Sequence, residues 1–168
     1  MGAGVTRYQT ADHFKERFRA TSRAQRFEAH SRSEWTTWRS GLAGTVRELL
    51  GLDRLRPTAP NPRITETVQF DGYRRERVEI DSEPGITMPF YVLIPDALQG
   101  TAPAVLAPHG HLSGGKYAVA GRRDISPELT ATIDQHNYDY GVQAVRRGYV
   151  VFCPDARGSR YFRHENSG

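Results

Sequence analysis

Two apolar runs in this chain end in residues able to do chemistry. Ala104-Val105-Leu106-Ala107 leads into Pro108-His109-Gly110-His111, and Gly148-Tyr149-Val150-Val151-Phe152-Cys153 leads into Pro154-Asp155-Ala156-Arg157-Gly158. Each polar cluster falls where a strand must stop and the chain must turn. In an open α/β sheet the ligand crevice lies beyond the carboxyl ends of the strands, so both turns are well placed. Gly110 lets backbone approach a bound group closely, and the amides after it can aim at a developing oxyanion. The pair His109-x-His111 could instead hold a metal ion, with His136 or Asp155 as further ligands. A polar turn with two incidental histidines is the third reading. Cys153, inside a strand, reads as buried packing.

These clusters need elements to position them, and composition allows such elements. The chain has 168 residues, 10% of them aromatic, with strand-like apolar runs that argue against global disorder. The formal net charge is +4, and Arg dominates because only Lys15 and Lys116 are lysines. Between Arg17 and Arg47 the arginines are interspersed with Glu28 and Glu34 and flanked by Glu16 and Glu48, which describes solvated helix faces; no nucleic-acid partner is expected. A single cysteine permits no disulfide framework and no Cys-based zinc site. Met1 to Thr10 has no apolar signal core, and no run approaches a membrane span, so no membrane partner is expected and a cytoplasmic location is the default.

Residues 11–50 carry helical periodicity: Phe14 and Phe18, then Trp35, Trp38, Leu42, Val46, Leu49 and Leu50, a stripe expected to pack as core. Ser31-Arg32-Ser33-Glu34 fits a capping box, and Gly51 is placed to end that helix. Pro57, Pro60 and Pro62 make residues 54–63 an extended connector. The expected division is therefore 1–63, a helical segment with its connector, and 64–168, a sheet-containing core.

Beyond the connector the period becomes two. Thr67 to Phe70 and Arg77 to Ile80 flank a turn at Asp71-Gly72, and Ile86 to Ile94 forms a further strand with Met88, Phe90, Val92 and Ile94 on one face. Ala104 to Ala107 is unbroken in apolar character, as for a strand buried on both faces. Residues 109–133 read as a long loop, and Tyr140 to Arg147 as a helix leading into the strand at 148–153. Antiparallel strands followed by a strand–loop–helix–strand unit indicate an α/β fold with a largely parallel main sheet.

The ordered set of these pieces resembles one branch of the α/β-hydrolase superfamily, that of the acetyl-xylan-esterase-like and dienelactone-hydrolase-like enzymes. The resemblance rests on Glu48-Leu49-Leu50-Gly51, Asp71-Gly72-Tyr73-Arg74-Arg75-Glu76-Arg77-Val78, Pro84-Gly85 and Pro89-Phe90-Tyr91-Val92-Leu93-Ile94-Pro95. It continues through Pro103 to His111, Gly114-Gly115-Lys116, Tyr140-Gly141 and Gly148 to Gly158. It implies serine-type hydrolysis of a small carboxylic ester such as an acetyl ester, with no cofactor. It also implies that the backbone N–H of His111, with Leu112 as the alternative, is one oxyanion donor. His109 and Gly110 would then organise the turn, and Asp155 and Arg157 would shape the loop after the last strand, because the triad order in this superfamily is nucleophile, acid, histidine.

The chain departs from that pattern in one respect that bears on activity. A nucleophile elbow needs GxSxG between a strand and a helix, and no such motif occurs here. His111-Leu112-Ser113-Gly114-Gly115 lacks the first glycine and follows the wrong strand, so Ser113 reads as a decoy; Ser159 and Ser167 lack flanking glycines. The expectation is an N-terminal portion of an α/β-hydrolase, cut before the nucleophile elbow, without a nucleophile of its own and inactive alone. The alternatives are a half-domain or binding remnant without activity, and a metal-dependent hydrolase using His109 and His111. In the superfamily's strand order, Ala104 to Ala107 would also lack one neighbour and present an open apolar edge.

Overall fold

The structure is a computed structural model that describes residues 10–21, 25–111 and 114–158. It separates into two compact units, residues 1–55 and 56–168.

The first unit holds α1 (Thr10–Thr21), α2 (Arg32–Leu49) and a single 3₁₀ turn at Leu52–Arg54. α2 starts at the capping box expected from sequence. The Ser31 hydroxyl accepts from the Glu34 N–H at 3.2 Å, and the Glu34 carboxylate accepts from the N–H groups of His30 and Ser31. These bonds satisfy donors that the first helical turn leaves without partners. The His30 amide in particular holds the Glu34 carboxyl below its ordinary pKa. Gly51 takes the left-handed conformation at φ 63° just past the helix end. The apolar stripe behaves differently from expectation. Neither helix buries a residue, and Phe14 and Phe18 are 62% and 71% exposed. Trp35 is exposed as well, while Trp38 packs edge-on against Phe27 and donates its indole N–H to the Gln25 carbonyl. Periodicity marks which face is apolar; it does not supply a surface to cover it.

The second unit is a five-stranded mixed sheet in the order β1-β2-β3-β5-β4. β1 (Arg63–Phe70), β2 (Tyr73–Glu83) and β3 (Ile86–Pro95) form an antiparallel meander, and β5 (Val150–Pro154) continues the antiparallel pairing against β3. Only β4 (Ala104–Leu106) and β5 are parallel, so the described sheet is less parallel than its sequence pattern suggested. β2 is longer than expected because Arg74 and Glu76 alternate with Tyr73 and Arg75. The first two pair with each other on one face, while Arg75 is buried over the rings of Phe70 and Tyr91.

Between β4 and β5 the chain forms α3 (Lys116–Val119), α4 (Pro127–His136) and α5 (Tyr140–Val145). The first two replace most of the loop expected at 109–133. The start of α4 is written in Ser126-Pro127: the Ser126 hydroxyl accepts from the Leu129 N–H, Pro127 opens the first turn, and Asn137 at φ 54° closes the helix. Polar surface residues hid its short apolar stripe, of which only Ile133 is buried.

One face of the sheet packs Tyr73, Tyr91, Leu93, Val151 and Cys153 against Val119, Ala120, Val142 and Val145. The other gathers Val78, Phe90 and Val92 with Met88, Ile94 and Phe152 partly buried around them, as the β3 alternation predicts. A fully buried side chain such as Leu93 contributes roughly 2 kcal/mol by leaving water. β4 differs. It lies at the sheet edge, and Leu106 is 69% exposed where burial on both faces was expected, because β5 is its only partner strand among the described residues. No helix among the described residues is long and apolar enough to cross a membrane.

Candidate active-site loops

β4 and β5 run parallel, so the turns that follow them leave the same end of the sheet. The two turns are bonded to each other. The Ala156 N–H donates to His109 Nε2 at 3.0 Å, and His109 Nδ1 lies 2.9 Å from the Gly110 carbonyl oxygen. An N–H can donate to Nε2 only if that nitrogen carries no hydrogen, so the ring hydrogen is on Nδ1 and donates to Gly110. The His109 side chain is 9% exposed. Tyr140, at the start of α5, donates its hydroxyl to the Pro108 carbonyl one residue earlier. Burial raises the Tyr140 phenol above its ordinary pKa, so it keeps the hydrogen it donates.

Asp155 is buried, and both its oxygens face Lys116. Oδ1 accepts from the Lys116 backbone N–H at 3.0 Å, and Oδ2 accepts from Lys116 Nζ at 2.5 Å. Both side chains are fully buried, and Nζ also lies 4.7 Å from the centre of the Tyr117 ring. Asp155 Oδ1 approaches His109 Nε2 to 3.5 Å, but that nitrogen presents a lone pair, already used by Ala156. A carboxylate that orients a catalytic imidazole accepts a hydrogen from it. Asp155 does not accept from this imidazole; its bonds run to Lys116 at the start of α3.

The remaining sequence candidates fall around this core. Gly110 and His111 are exposed at the tip of the turn, two residues beyond the His109 anchor at most. Leu112 and Ser113 lie outside the described residues, as do Ser159 and Ser167. Arg157 is largely exposed and pairs with Glu83 at the end of β2, and this hydrogen bond lowers the Glu83 carboxyl pKa. Cys153 is buried, and loss of solvent pushes its thiol up to about 12. A nucleophilic thiol needs the opposite shift, so packing is its role.

The metal reading gains no geometry. Both ring nitrogens of His109 are engaged, and His136 sits on the last turn of α4, stacked on Tyr138. Among the described residues no group of three or more His, Cys, Asp or Glu side chains is placed to hold an ion.

Sequence reasoning did not assign roles to Lys116, Tyr140 or Glu83. Lys116 left one signal: it is one of two lysines in an Arg-rich chain, and it follows two glycines. Gly115 has φ 65° and ψ −152°, a region that only glycine adopts readily, and Gly114 is also at positive φ. The glycines let the chain turn steeply enough to bury the lysine that follows.

A mixed sheet with paired loops at the carboxyl ends of β4 and β5 describes a class, the α/β-hydrolase fold. The model of the Abhydrolase family matches residues 15–160, and the chain belongs to that family. The chain is similar to a solved structure from Bacteroides fragilis, provisionally named an acetyl xylan esterase, with 27% sequence identity and a TM-score of 0.71. The match covers 89% of this chain and spans 38% of that protein's length. No curated protein matches the chain.

Proposed function

We propose that these residues form the oxyanion side of a serine-type hydrolase acting on carboxylic esters, of which an acetyl or similar small acyl ester is the substrate. The backbone N–H of His111, or of Leu112, is one donor to the developing oxyanion. His109, Gly110, Asp155 and Arg157 hold the loops. One observation carries this reading: the turn after β4 is bonded directly to the turn after the adjacent parallel strand, through the Ala156 N–H and His109 Nε2. Oxyanion stabilisation depends on donors fixed before the charge develops, because a donor that must reorganise loses much of its benefit.

The 168 residues contain no GxSxG, so on this reading they supply oxyanion donors and no nucleophile. Alone, this stretch positions an acyl group without attacking it. Translating the DNA that follows codon 168 in all three frames tests the assignment. A GxSxG between a strand and a helix pattern, followed by Asp and His, is the expected result. Three frames without an elbow would overturn the ester-hydrolase reading and leave a binding role for the fold.

A further inference from the structure

We propose that Lys116 is the positioning residue of the oxyanion turn, acting through Asp155; this rests on the reading of that turn given above. The turn leaves β4 at His109, and the chain enters α3 at Lys116. Both residues bond to the same dipeptide, Asp155-Ala156, at the end of β5. His109 Nε2 accepts from the Ala156 N–H, and Lys116 binds Asp155 twice, by its backbone N–H and by Nζ. His109 and Lys116 are therefore each held to the turn that follows β5. Ala156 directly follows Asp155, so the bond from Lys116 Nζ that holds the Asp155 side chain also restrains the peptide carrying the Ala156 amide.

Burial makes this arrangement demanding. Lys116 and Asp155 side chains are both fully buried, and an ammonium and a carboxylate removed from water do not by themselves favour the fold. A well-packed apolar pair of similar volume commonly serves stability as well or better. The charged pair gives what the apolar pair would lack: direction. The two bonds from one residue set the position of Asp155 and the orientation of the peptide that follows it. No bond to the reacting ester is implied for Lys116, so its effect on catalysis is indirect.

The test uses the 168-residue chain and amide hydrogen exchange. Lys116→Met alone strands a buried carboxylate and is the variant least able to fold, so the informative change is the double substitution Lys116→Met with Asp155→Leu. The Ala107 N–H, bonded to the Phe152 carbonyl at 2.8 Å, reports β4–β5 pairing and serves as the internal control. Expected in the double variant is exchange at Ala156 faster by about tenfold or more, with Ala107 unchanged. Equal acceleration at both amides would overturn the proposal, since the pair would then merely hold the sheet. No change at either would overturn it as well, since His109 would hold the turn unaided. A second measurement needs no substitution. Ring ¹⁵N shifts of His109 in the intact chain should show hydrogen on Nδ1, and hydrogen on Nε2 would contradict the clamp. Neither readout involves ester chemistry, so an absent GxSxG downstream would sink the hydrolase reading without deciding this one.

Discussion

At Gly141, where α5 packs on β5 and α3, a single hydrogen atom stands in for a side chain. A Cβ there would lie 2.5 Å from the Val119 carbonyl oxygen and 3.0 Å from Cys153 Sγ. The first contact is backbone and cannot swing aside. Gly141→Ala should therefore destabilise the chain by about 1–3 kcal/mol despite the better helix propensity of alanine. Gly41 in α2 has open space around the same position, so Gly41→Ala should stabilise by about 1 kcal/mol. Urea melts of the two variants check both signs; equal effects would mean that packing at Gly141 is looser than the structure shows. At this scale the sequence exposed types and spacing. His109-Gly110-His111 and Asp155 were visible as a pair of strand-end clusters, yet which nitrogen of His109 accepts, and that Asp155 answers to Lys116, depend on bonds across 39 or more residues of chain. Such partners leave no local pattern.

Elements were legible where local chemistry writes them. The capping box at Ser31, the left-handed Gly51 and the alternation of β3 all follow from contacts within a few residues. α4 was also written locally, in Ser126-Pro127, but one buried residue in ten gives too faint a stripe to read. The exposure of Phe14, Phe18 and Trp35 was illegible for the opposite reason, since a pattern names a sticky face without naming its cover. The β1–β2 meander carries its own pH dependence. Arg63 donates to Asp81, joined by Asn61, and these bonds lower the Asp81 carboxyl pKa; Arg157 does the same for Glu83. A carboxyl lowered in the folded chain adds stability that is present above its unfolded value of about 4 and fades as pH falls through its folded value. The stability gap between the unaltered chain and Asp81→Asn should thus be widest near neutrality and narrow below about pH 4, read from urea melts between about pH 6 and 3. A gap that stays constant with pH would show that the Arg63 bond is not what distinguishes the two proteins.

For the whole molecule, the exposed end of the sheet matters most. β4 is three residues long and, among the described residues, paired on one side, with Leu106 facing solvent. An apolar edge of that kind is a template for another strand. The 168-residue chain should associate with rising concentration, and Leu106→Lys should shift sedimentation towards monomer. A sharp cooperative melt with a monomeric profile in the unaltered chain would contradict this.

On the proposed reading, the loop after β4 carries an oxyanion donor and no nucleophile. The most direct measurement is treatment of the 168-residue chain with a fluorophosphonate probe, which phosphonylates the activated serine of serine hydrolases with loss of fluoride, followed by intact-mass analysis. Expected is an unmodified mass, since no serine here stands in an elbow. A stoichiometric adduct that maps to Ser113 would contradict the central claim, and would make the loop after β4 the source of the nucleophile.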